Sequence, residues 1–169
     1  MNNTVRIAFS VLLVAGVAAC AKKKVKPDVV EQQQQQTETR GMENTGRYTK
    51  DSLDTDSCLR QRVVYFDLDQ TMIKPEFQAQ IACHAAYLRQ FPEARVRLEG
   101  NADERGSREY NLGLGERRGN AVQSALSAAG ASSSQLNVVS YGEERPVCRQ
   151  HDESCWSKNR RVEIIYTAK

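Results

Sequence analysis

The feature that most constrains the fold is a strand, a polar loop and a helix that follow one another between residues 95 and 129. In residues 95–99 apolar and charged side chains alternate, which is typical of a half-buried strand. Gly100 and Gly106 then bound a polar loop. Spacings of three and four residues mark one face of the helix that follows: Asn111, Leu114, Arg118, Val122 and Ala125. The segment therefore predicts a corner at which polar loop residues meet the start of a helix.

Charged residues of both signs lie at this strand-to-helix corner. Asp103 and Arg105 are in the loop, and Arg118 lies two helical turns after Asn111 on the same face. A guanidinium can hold a carboxylate through two parallel hydrogen bonds, and a carboxylate can hold an ammonium. The corner is therefore predicted to bind a ligand that carries both charges. The alternative is that Asp103 caps the helix and Arg118 is its surface ion-pair partner.

The rest of the folded part indicates an α+β domain. The predicted elements are a strand at 61–67, a helix at 75–90, a strand at 95–99, a helix at 107–129, a strand at 136–141, a polar loop at 143–158 and a strand at 160–167. The order is β-α-β-α-β-β. Two crossover helices imply parallel pairings, and the last strand can add an antiparallel one. We expect a helix layer on one face of a mixed sheet.

The first segment that departs from globular composition is residues 1–19. Arg6 precedes an apolar run that is too short to span a bilayer comfortably, and the run ends in small residues before Cys20. This pattern resembles a bacterial lipoprotein signal with its lipobox, so residues 1–19 are expected to be removed and Cys20 to carry lipid. Ala21 rather than Asp follows Cys20, which favours the outer membrane. The alternative is an ordinary secretory signal.

The second such segment is residues 20–56, which are rich in lysine and glutamine and hold almost no large apolar side chains. A segment of this kind cannot bury enough surface to offset its chain entropy, so it is predicted to be a disordered tether. Residues 57–169 are then one domain of ordinary size. The formal net charge of +3 is too small and too scattered to indicate a nucleic-acid partner.

Four cysteines remain in the predicted domain: Cys58, Cys83, Cys148 and Cys155. An even number in an exported chain permits disulfides. Cys148 and Cys155 flank a short loop and are the favoured pair, which leaves Cys58 to meet Cys83, although three pairings are formally possible. A zinc site with His84 and His151 is the alternative, but no close pair of cysteines with the usual spacing occurs. No metal is expected, and both histidines are predicted to be exposed.

Five separated motifs carry a resemblance to a known family. They are YFDLD at 65–69, LEGNADERG at 98–106, EYNLGLGERR at 109–118, VSYGEERP at 139–146 and SKNRRVE at 157–163. Together they resemble the OmpA-like peptidoglycan-binding domain. With the lipobox and the tether, the whole chain resembles the peptidoglycan-associated lipoprotein (Pal) family. The resemblance implies two main helices packed on one face of a mixed four-stranded sheet.

The resemblance also implies a ligand and a set of binding residues. In this family the domain binds the peptide stem of peptidoglycan non-covalently, chiefly through meso-diaminopimelate. The expected pocket residues are Asp69, Asp103, Asn111, Arg118 and Arg161, and the expected rim residues are Asn101, Arg105 and Leu114. Asp103 is expected to receive the ammonium of diaminopimelate and Arg118 its carboxylate.

The choice between Arg160 and Arg161 depends on which evidence is preferred. Strand alternation places Arg160 on the side of Val162, and Arg161 on the opposite face with Glu163. The family position nevertheless favours Arg161 in the pocket, with Arg160 making structural ion pairs.

The function implied is that of a lipoprotein of the Gram-negative outer membrane, anchored by lipid on Cys20 with its domain in the periplasm. It would link that membrane to the cell wall, and with TolB and other Tol components it would act in constriction at division. No catalysis and no cofactor are expected. One alternative is a lipoprotein that mainly binds a TolB-type protein.

A second alternative comes from Asp67-x-Asp69-x-Thr71, which matches the opening motif of haloacid-dehalogenase-type phosphatases. The later lysine and the second acidic pair that such enzymes need are not evident.

Overall fold

The computed structural model describes residues 48–169, and these form four helices and four strands. In chain order they are α1 (Ser52–Thr55), β1 (Val63–Tyr65), α2 (Gln78–Gln90), β2 (Arg95–Asn101), α3 (Arg108–Ala128), β3 (Leu136–Gly142), α4 (Glu153–Asn159) and β4 (Arg161–Ala168). Single 3-10 turns at Pro75–Phe77 and Ser133–Gln135 precede α2 and β3. Within residues 48–169, no helix combines the length and the apolar character that crossing a bilayer requires.

The four strands form one mixed sheet in the order β1-β4-β2-β3. β2 and β3 are parallel, as expected for strands joined by the crossover helix α3. β4 lies between β1 and β2 and is antiparallel to both, so the parallel pairing expected across α2 does not form. The predicted α+β class and the mixed four-stranded sheet are confirmed.

The core lies between one face of this sheet and the helices α2 and α3. Alternate residues of the strands face the helices, which is the two-residue period of a pleated strand. Among the buried core residues are Val64 of β1, Val96 and Leu98 of β2, Ile81 and Leu88 of α2, Val122 and Leu126 of α3, and Val162 and Ile164 of β4. The elements that frame the end of β2 are therefore fixed by a continuous apolar contact.

The folded part begins earlier than predicted, since residues 48–56 belong to it. Leu53 of α1 is fully buried. The backbone N–H of Tyr48 donates to Gln90 Oε1 at 2.8 Å, and Gln90 Nε2 donates to the carbonyl of Tyr48 at 2.6 Å. Two apolar side chains were too few for composition to separate this segment from the predicted tether. The signal peptide, the lipidation of Cys20 and the tether up to residue 47 lie outside the described residues.

Helix α4 replaces part of the polar loop predicted at 143–158. Asp152 caps it by accepting from the N–H of Cys155 at 3.2 Å. This helix is too short and too polar to show an apolar period.

The favoured disulfides are confirmed: Cys148 is bonded to Cys155, and Cys58 to Cys83.

His84 of α2 is fully buried, which corrects the prediction that it is exposed. Its Nδ1 lies 2.9 Å from Tyr166 Oη and its Nε2 lies 2.9 Å from the carbonyl of Gln61. Burial favours the neutral ring and lowers the pKa of His84 to about 4. The ring is therefore a hydrogen-bonded core side chain and is not available as a metal ligand.

This burial predicts an acid-sensitive stability. Between pH 6.5 and pH 4 the unfolded chain binds a proton at His84 that the folded chain does not, so the free energy of unfolding decreases as the pH falls. The contribution of His84 to this loss approaches about 3 kcal/mol at pH 4. In urea unfolding, wild type should lose more stability than His84→Gln between pH 7 and pH 4.5. An equal or larger loss in the variant would contradict the prediction.

Helix α3 lies unusually close to the sheet because glycines face each other across the interface. A Cβ atom at Gly115 would lie 2.4 Å from Ser140 Oγ and 2.8 Å from the carbonyl oxygen of Gly100. A Cβ at Gly100 would lie 1.9 Å from the carbonyl oxygen of Gly115. The glycines lower helix propensity but allow this contact, which sets the height of α3 above β2.

Two glycine substitutions in α3 should therefore change stability in opposite directions. Gly113→Ala should stabilise the fold by about 0.5–1 kcal/mol, because its Cβ meets only the flexible end of Arg117. Gly115→Ala should destabilise it by about 2 kcal/mol or more, because its Cβ meets the backbone of β2. Thermal unfolding of the two variants measures both effects. A rise in melting temperature for Gly115→Ala would show that α3 is free to move away from the sheet.

Candidate functional site: a charged cavity at the end of β2

A cavity of about 320 Å³ lies where the end of β2, the start of α3 and the loop after β1 meet. Its wall residues are Leu68, Asp69, Ala102, Asp103, Arg105, Gly106, Tyr110, Asn111, Leu114, Arg118 and Arg160. Of the five predicted pocket residues, four line it and Arg161 does not. The predicted rim residues Arg105 and Leu114 line it as well.

Arg118 forms the floor of the cavity and is fully buried. Its Nε donates to the carbonyl of Gln70 at 2.9 Å, Nη1 to that of Asn101 at 2.9 Å and Nη2 to that of Asp67 at 3.0 Å. The guanidinium thus ties the loop after β1 to the end of β2. It is not a surface ion-pair partner of Asp103, so that alternative is wrong.

The charge of Arg118 survives this burial. Removal from water, and then the nearby charge of Arg160, lower the pKa of Arg118 to about 10. The side chain therefore remains a cation at neutral pH. Its guanidinium also lies 5.3 Å from the ring centroid of Phe66, which gives it a second, non-polar contact.

Asp103 is buried beside this floor and is held by two arginines. Its Oδ1 accepts from the backbone N–H of Arg105 at 3.0 Å and from Nε of Arg105 at 3.1 Å. Its Oδ2 accepts from Nη2 of Arg105 at 2.7 Å and from Nη1 of Arg160 at 3.1 Å. Burial favours the neutral acid, but these hydrogen bonds outweigh it and lower the pKa of Asp103. Asp103 does not cap α3, since Ser107 does so.

Arg160, and not Arg161, reaches the cavity. Arg161 donates to Glu163 Oε1 at 2.7 Å and to the carbonyl of Arg145 at 3.1 Å, on the sheet face away from the helices. Arg160 immediately precedes β4 on the helix-facing side, where Nε donates to the carbonyl of Phe66 at 3.0 Å. Strand alternation placed the two arginines on opposite faces, as observed, but the family position that favoured Arg161 for the pocket misassigned the residue.

Asp69 is the more accessible acid of the site. It lies in the loop after β1 with φ of 55°, a left-handed conformation that aspartate tolerates better than most residues. Tyr110 Oη donates to its Oδ1. Tyr110 was not among the predicted pocket residues, yet it lines the cavity, and no signal in a single sequence distinguishes a packing tyrosine from one at a site.

The remaining predicted residues have supporting positions. Asn111 is buried on the cavity wall and donates from Nδ2 to Glu143. Asn101 is buried behind the wall, where Nδ2 donates to the carbonyl of Glu99 at 2.9 Å, and so it is not a rim residue. Its contribution to the site is the backbone carbonyl that Arg118 binds.

The charges of this cavity suit a small ligand that bears both signs. Asp69 and Asp103 stand against Arg105, Arg118 and Arg160, which leaves an excess of positive charge. Each oxygen of Asp103 already accepts two N–H groups, so Asp69 has the freer acceptor atoms. Each buried guanidinium donates three of its five N–H groups to the protein, which leaves donors for an anionic oxygen.

Comparison with known proteins gives a consistent family. A model of the OmpA family matches residues 65–160. A peptidoglycan-associated lipoprotein of Pasteurella multocida is 47% identical over 107 residues, which cover 63% of this chain and 71% of the relative. One of Mesorhizobium japonicum is 38% identical over 161 residues, which cover 95% of this chain and 90% of the relative.

Solved structures agree with the sequence relatives. The crystal structure of the peptidoglycan-associated lipoprotein from Burkholderia pseudomallei matches with a TM-score of 0.67 and 43% identity, covering 68% of this chain and 98% of the other. The C-terminal domain of Helicobacter pylori MotB matches with a TM-score of 0.58 at 22% identity, covering 63% of this chain and 84% of the other, which shows a shared fold alone.

The chain belongs to the OmpA family. The resemblance to the peptidoglycan-associated lipoproteins that the five motifs predicted is confirmed by these matches.

The surroundings of the Asp67-x-Asp69-x-Thr71 motif do not favour the phosphatase hypothesis. Its first aspartate, Asp67, pairs with Lys74 at 2.8 Å and lies outside the cavity wall. The motif also follows β1, a three-residue strand at the edge of the sheet.

The role of Arg118 predicts that charge alone does not replace it. Arg118→Lys should lower the free energy of unfolding by about 2–4 kcal/mol, because an ammonium on a flexible stem cannot satisfy three separated carbonyls. Urea unfolding measures this change. The exposed neighbour Arg117 provides the control, since Arg117→Lys should be nearly neutral. Equal stabilities for the two variants would show that Arg118 does not organise the site.

Proposed function

We propose that the chain binds the peptide stem of peptidoglycan non-covalently in this cavity, through the free end of meso-diaminopimelate. The observation that carries the proposal is the cavity itself: buried guanidiniums and an accessible carboxylate face one small space. Relatives named peptidoglycan-associated lipoproteins support the choice of ligand. That end of diaminopimelate carries an ammonium and a carboxylate on one carbon, so it matches both charges of the wall.

The contacts within the cavity suggest a division of roles that differs from the sequence expectation. The carboxylate of the ligand binds the unused N–H groups of Arg118 and Arg160. The ammonium binds Asp69, because both oxygens of Asp103 already accept from arginines. Asp103 then acts by orienting Arg105 and Arg160. Leu114 and Leu68 supply the apolar wall beside the ligand's methylene chain.

In the cell this binding would link two layers of the envelope. Lipid on Cys20 would anchor the chain in the outer membrane of a Gram-negative bacterium, with the domain in the periplasm. Binding to the stem peptide would then hold the outer membrane to the wall, and TolB and other Tol components would couple this link to constriction at division.

The proposed ligand contact predicts different effects for two neighbouring aspartates. Asp69→Asn should weaken binding of a diaminopimelate-containing stem tripeptide about tenfold, because the ligand ammonium loses its charged partner. Asp67→Asn should change the affinity less than about twofold, because Asp67 lies outside the wall and pairs with Lys74. Calorimetry with the full chain in detergent measures both affinities.

A stem tripeptide that ends in lysine is the matched ligand control. Lysine lacks the second carboxylate, so it should bind at least tenfold more weakly than diaminopimelate. Equal binding of the two peptides would refute recognition of the free end of diaminopimelate. Failure of wild type to bind purified, protein-free sacculi would refute the proposed function as a whole.

A second candidate function, docking of a periplasmic protein such as TolB, is favoured by exposed apolar side chains near the cavity. Leu68, Met72 and Tyr110 are 53%, 76% and 44% exposed, and two of them line the cavity mouth. One chain could have both functions, with the wall and the partner protein competing for the same surface and binding in turn. Met72→Glu should weaken binding of purified TolB and leave sacculus binding unchanged, because Met72 lies outside the cavity wall. Unchanged TolB binding would count against this surface.

A further inference from the structure

Helix α4 connects a disulfide to the arginines of the cavity. Cys155 lies within α4 and is bonded to Cys148 in the loop that follows β3. On the same helix, Glu153 accepts from Arg160 Nη2, and its other oxygen lies 3.5 Å from Arg105 Nη2. The two arginines that hold Asp103 are thus both contacted by α4.

Trp156 of the same helix stacks on one of these arginines. Its ring centroid lies 4.2 Å from the guanidinium carbon of Arg105, a stacking distance for a cation on an aromatic face. Its indole Nε1 donates to Glu104 Oε1 at 2.8 Å. Trp156 therefore contacts the face of the Arg105 guanidinium, and Asp103 accepts from the N–H groups at its edge. Neither Trp156 nor Glu153 lines the cavity.

The helix that makes these contacts is not stable by itself. A helix of this length has no independent stability in water, so α4 depends on its connections. Besides the contacts of Glu153 and Trp156, these connections include the cap by Asp152, the hydrogen bond from Asn159 Nδ2 to the carbonyl of Cys148 at 2.7 Å, and the disulfide. Of these, the disulfide alone is removed by a reductant without a change of sequence.

We propose that the Cys148–Cys155 disulfide and α4 form a positioning element that sets the affinity of the cavity for its ligand, and that reduction of this disulfide weakens binding. The inference rests on the proposed function. In the reduction, a dithiol supplies two electrons and two protons, the S–S bond breaks into two thiols, and the dithiol closes to its own disulfide. Loss of the cross-link loosens α4, so Arg105 and Arg160 lose the contacts that hold them in place.

The second disulfide provides a matched control. Cys58–Cys83 joins the segment before β1 to α2, and neither cysteine lines the cavity. Cys148→Ser/Cys155→Ser should weaken binding of the diaminopimelate stem tripeptide by about three- to tenfold. Cys58→Ser/Cys83→Ser should lower the melting temperature and leave the affinity within twofold. The measurements use the full chain in detergent, at a temperature at which circular dichroism shows each variant folded.

Substitutions of Trp156 separate positioning from general stability. Trp156→Ala should weaken binding to the same degree as loss of the disulfide. Trp156→Phe keeps an aromatic face for Arg105 and should recover most of the affinity. Because Trp156 is the only tryptophan of the chain, its emission also reports directly on α4. Reduction of wild type should change this emission. Reduction of the Cys58→Ser/Cys83→Ser variant, which keeps the Cys148–Cys155 disulfide, should cause the same change.

Two results would count against this inference in different ways. If wild type binds the tripeptide and the Cys148→Ser/Cys155→Ser and Trp156→Ala variants bind it within twofold of wild type, α4 does not position the cavity and the inference alone is wrong. If wild type binds neither the tripeptide nor sacculi, the proposed function is wrong and the inference falls with it.

Discussion

The candidate site depends on one buried cation that binds three backbone carbonyls. Without Arg118, the carbonyls of Asp67, Gln70 and Asn101 would lose the donor that joins the loop after β1 to the end of β2, and the lost hydrogen bond to Asn101 is a buried one. The guanidinium satisfies them together and places a positive charge at the bottom of the cavity. The position of Asp69, two residues beyond one of these carbonyls, follows from the same contact. One side chain therefore joins the two segments and supplies a buried positive charge to the cavity wall.

Much of the fold could be predicted from the sequence because its long elements have strong patterns. The helix α3 and the strands β2, β3 and β4 were predicted within two residues of their observed ends, and the predicted helix at 75–90 covers α2 together with the 3-10 turn before it. The order of the strands was not predictable from local pattern, because insertion of β4 between β1 and β2 depends on packing across the whole sheet. Short, polar α4 and the segment containing α1 have too few apolar residues to show a period.

The site was predicted in part, and its errors have a physical cause. Asp103, Asn111 and Arg118 lie on a strand-to-helix corner whose geometry follows from sequence spacing. What spacing cannot give is the partner of each charged group. The expectation that Asp103 is free to bind an ammonium did not account for Arg105 and Arg160, which come from the loop and from the start of β4. The choice of Arg161 rested on family position alone, and the structure places Arg160 at the cavity instead.

The attachment point of the N-terminal segment determines how the domain would carry a load. Tyr48 binds Gln90 at the end of α2, and Lys50 Nζ donates to the backbone oxygen of Lys169 beyond β4, so the chain enters at the pole opposite the cavity. A pull between that pole and a bound ligand would act roughly along the strands, because the cavity lies at the far end of β2. The hydrogen bonds between neighbouring strands, such as β2 and β4, are then loaded in shear. They resist the pull together and are not broken one after another from one end. The orientation of the strands would thus suit the proposed link between outer membrane and cell wall.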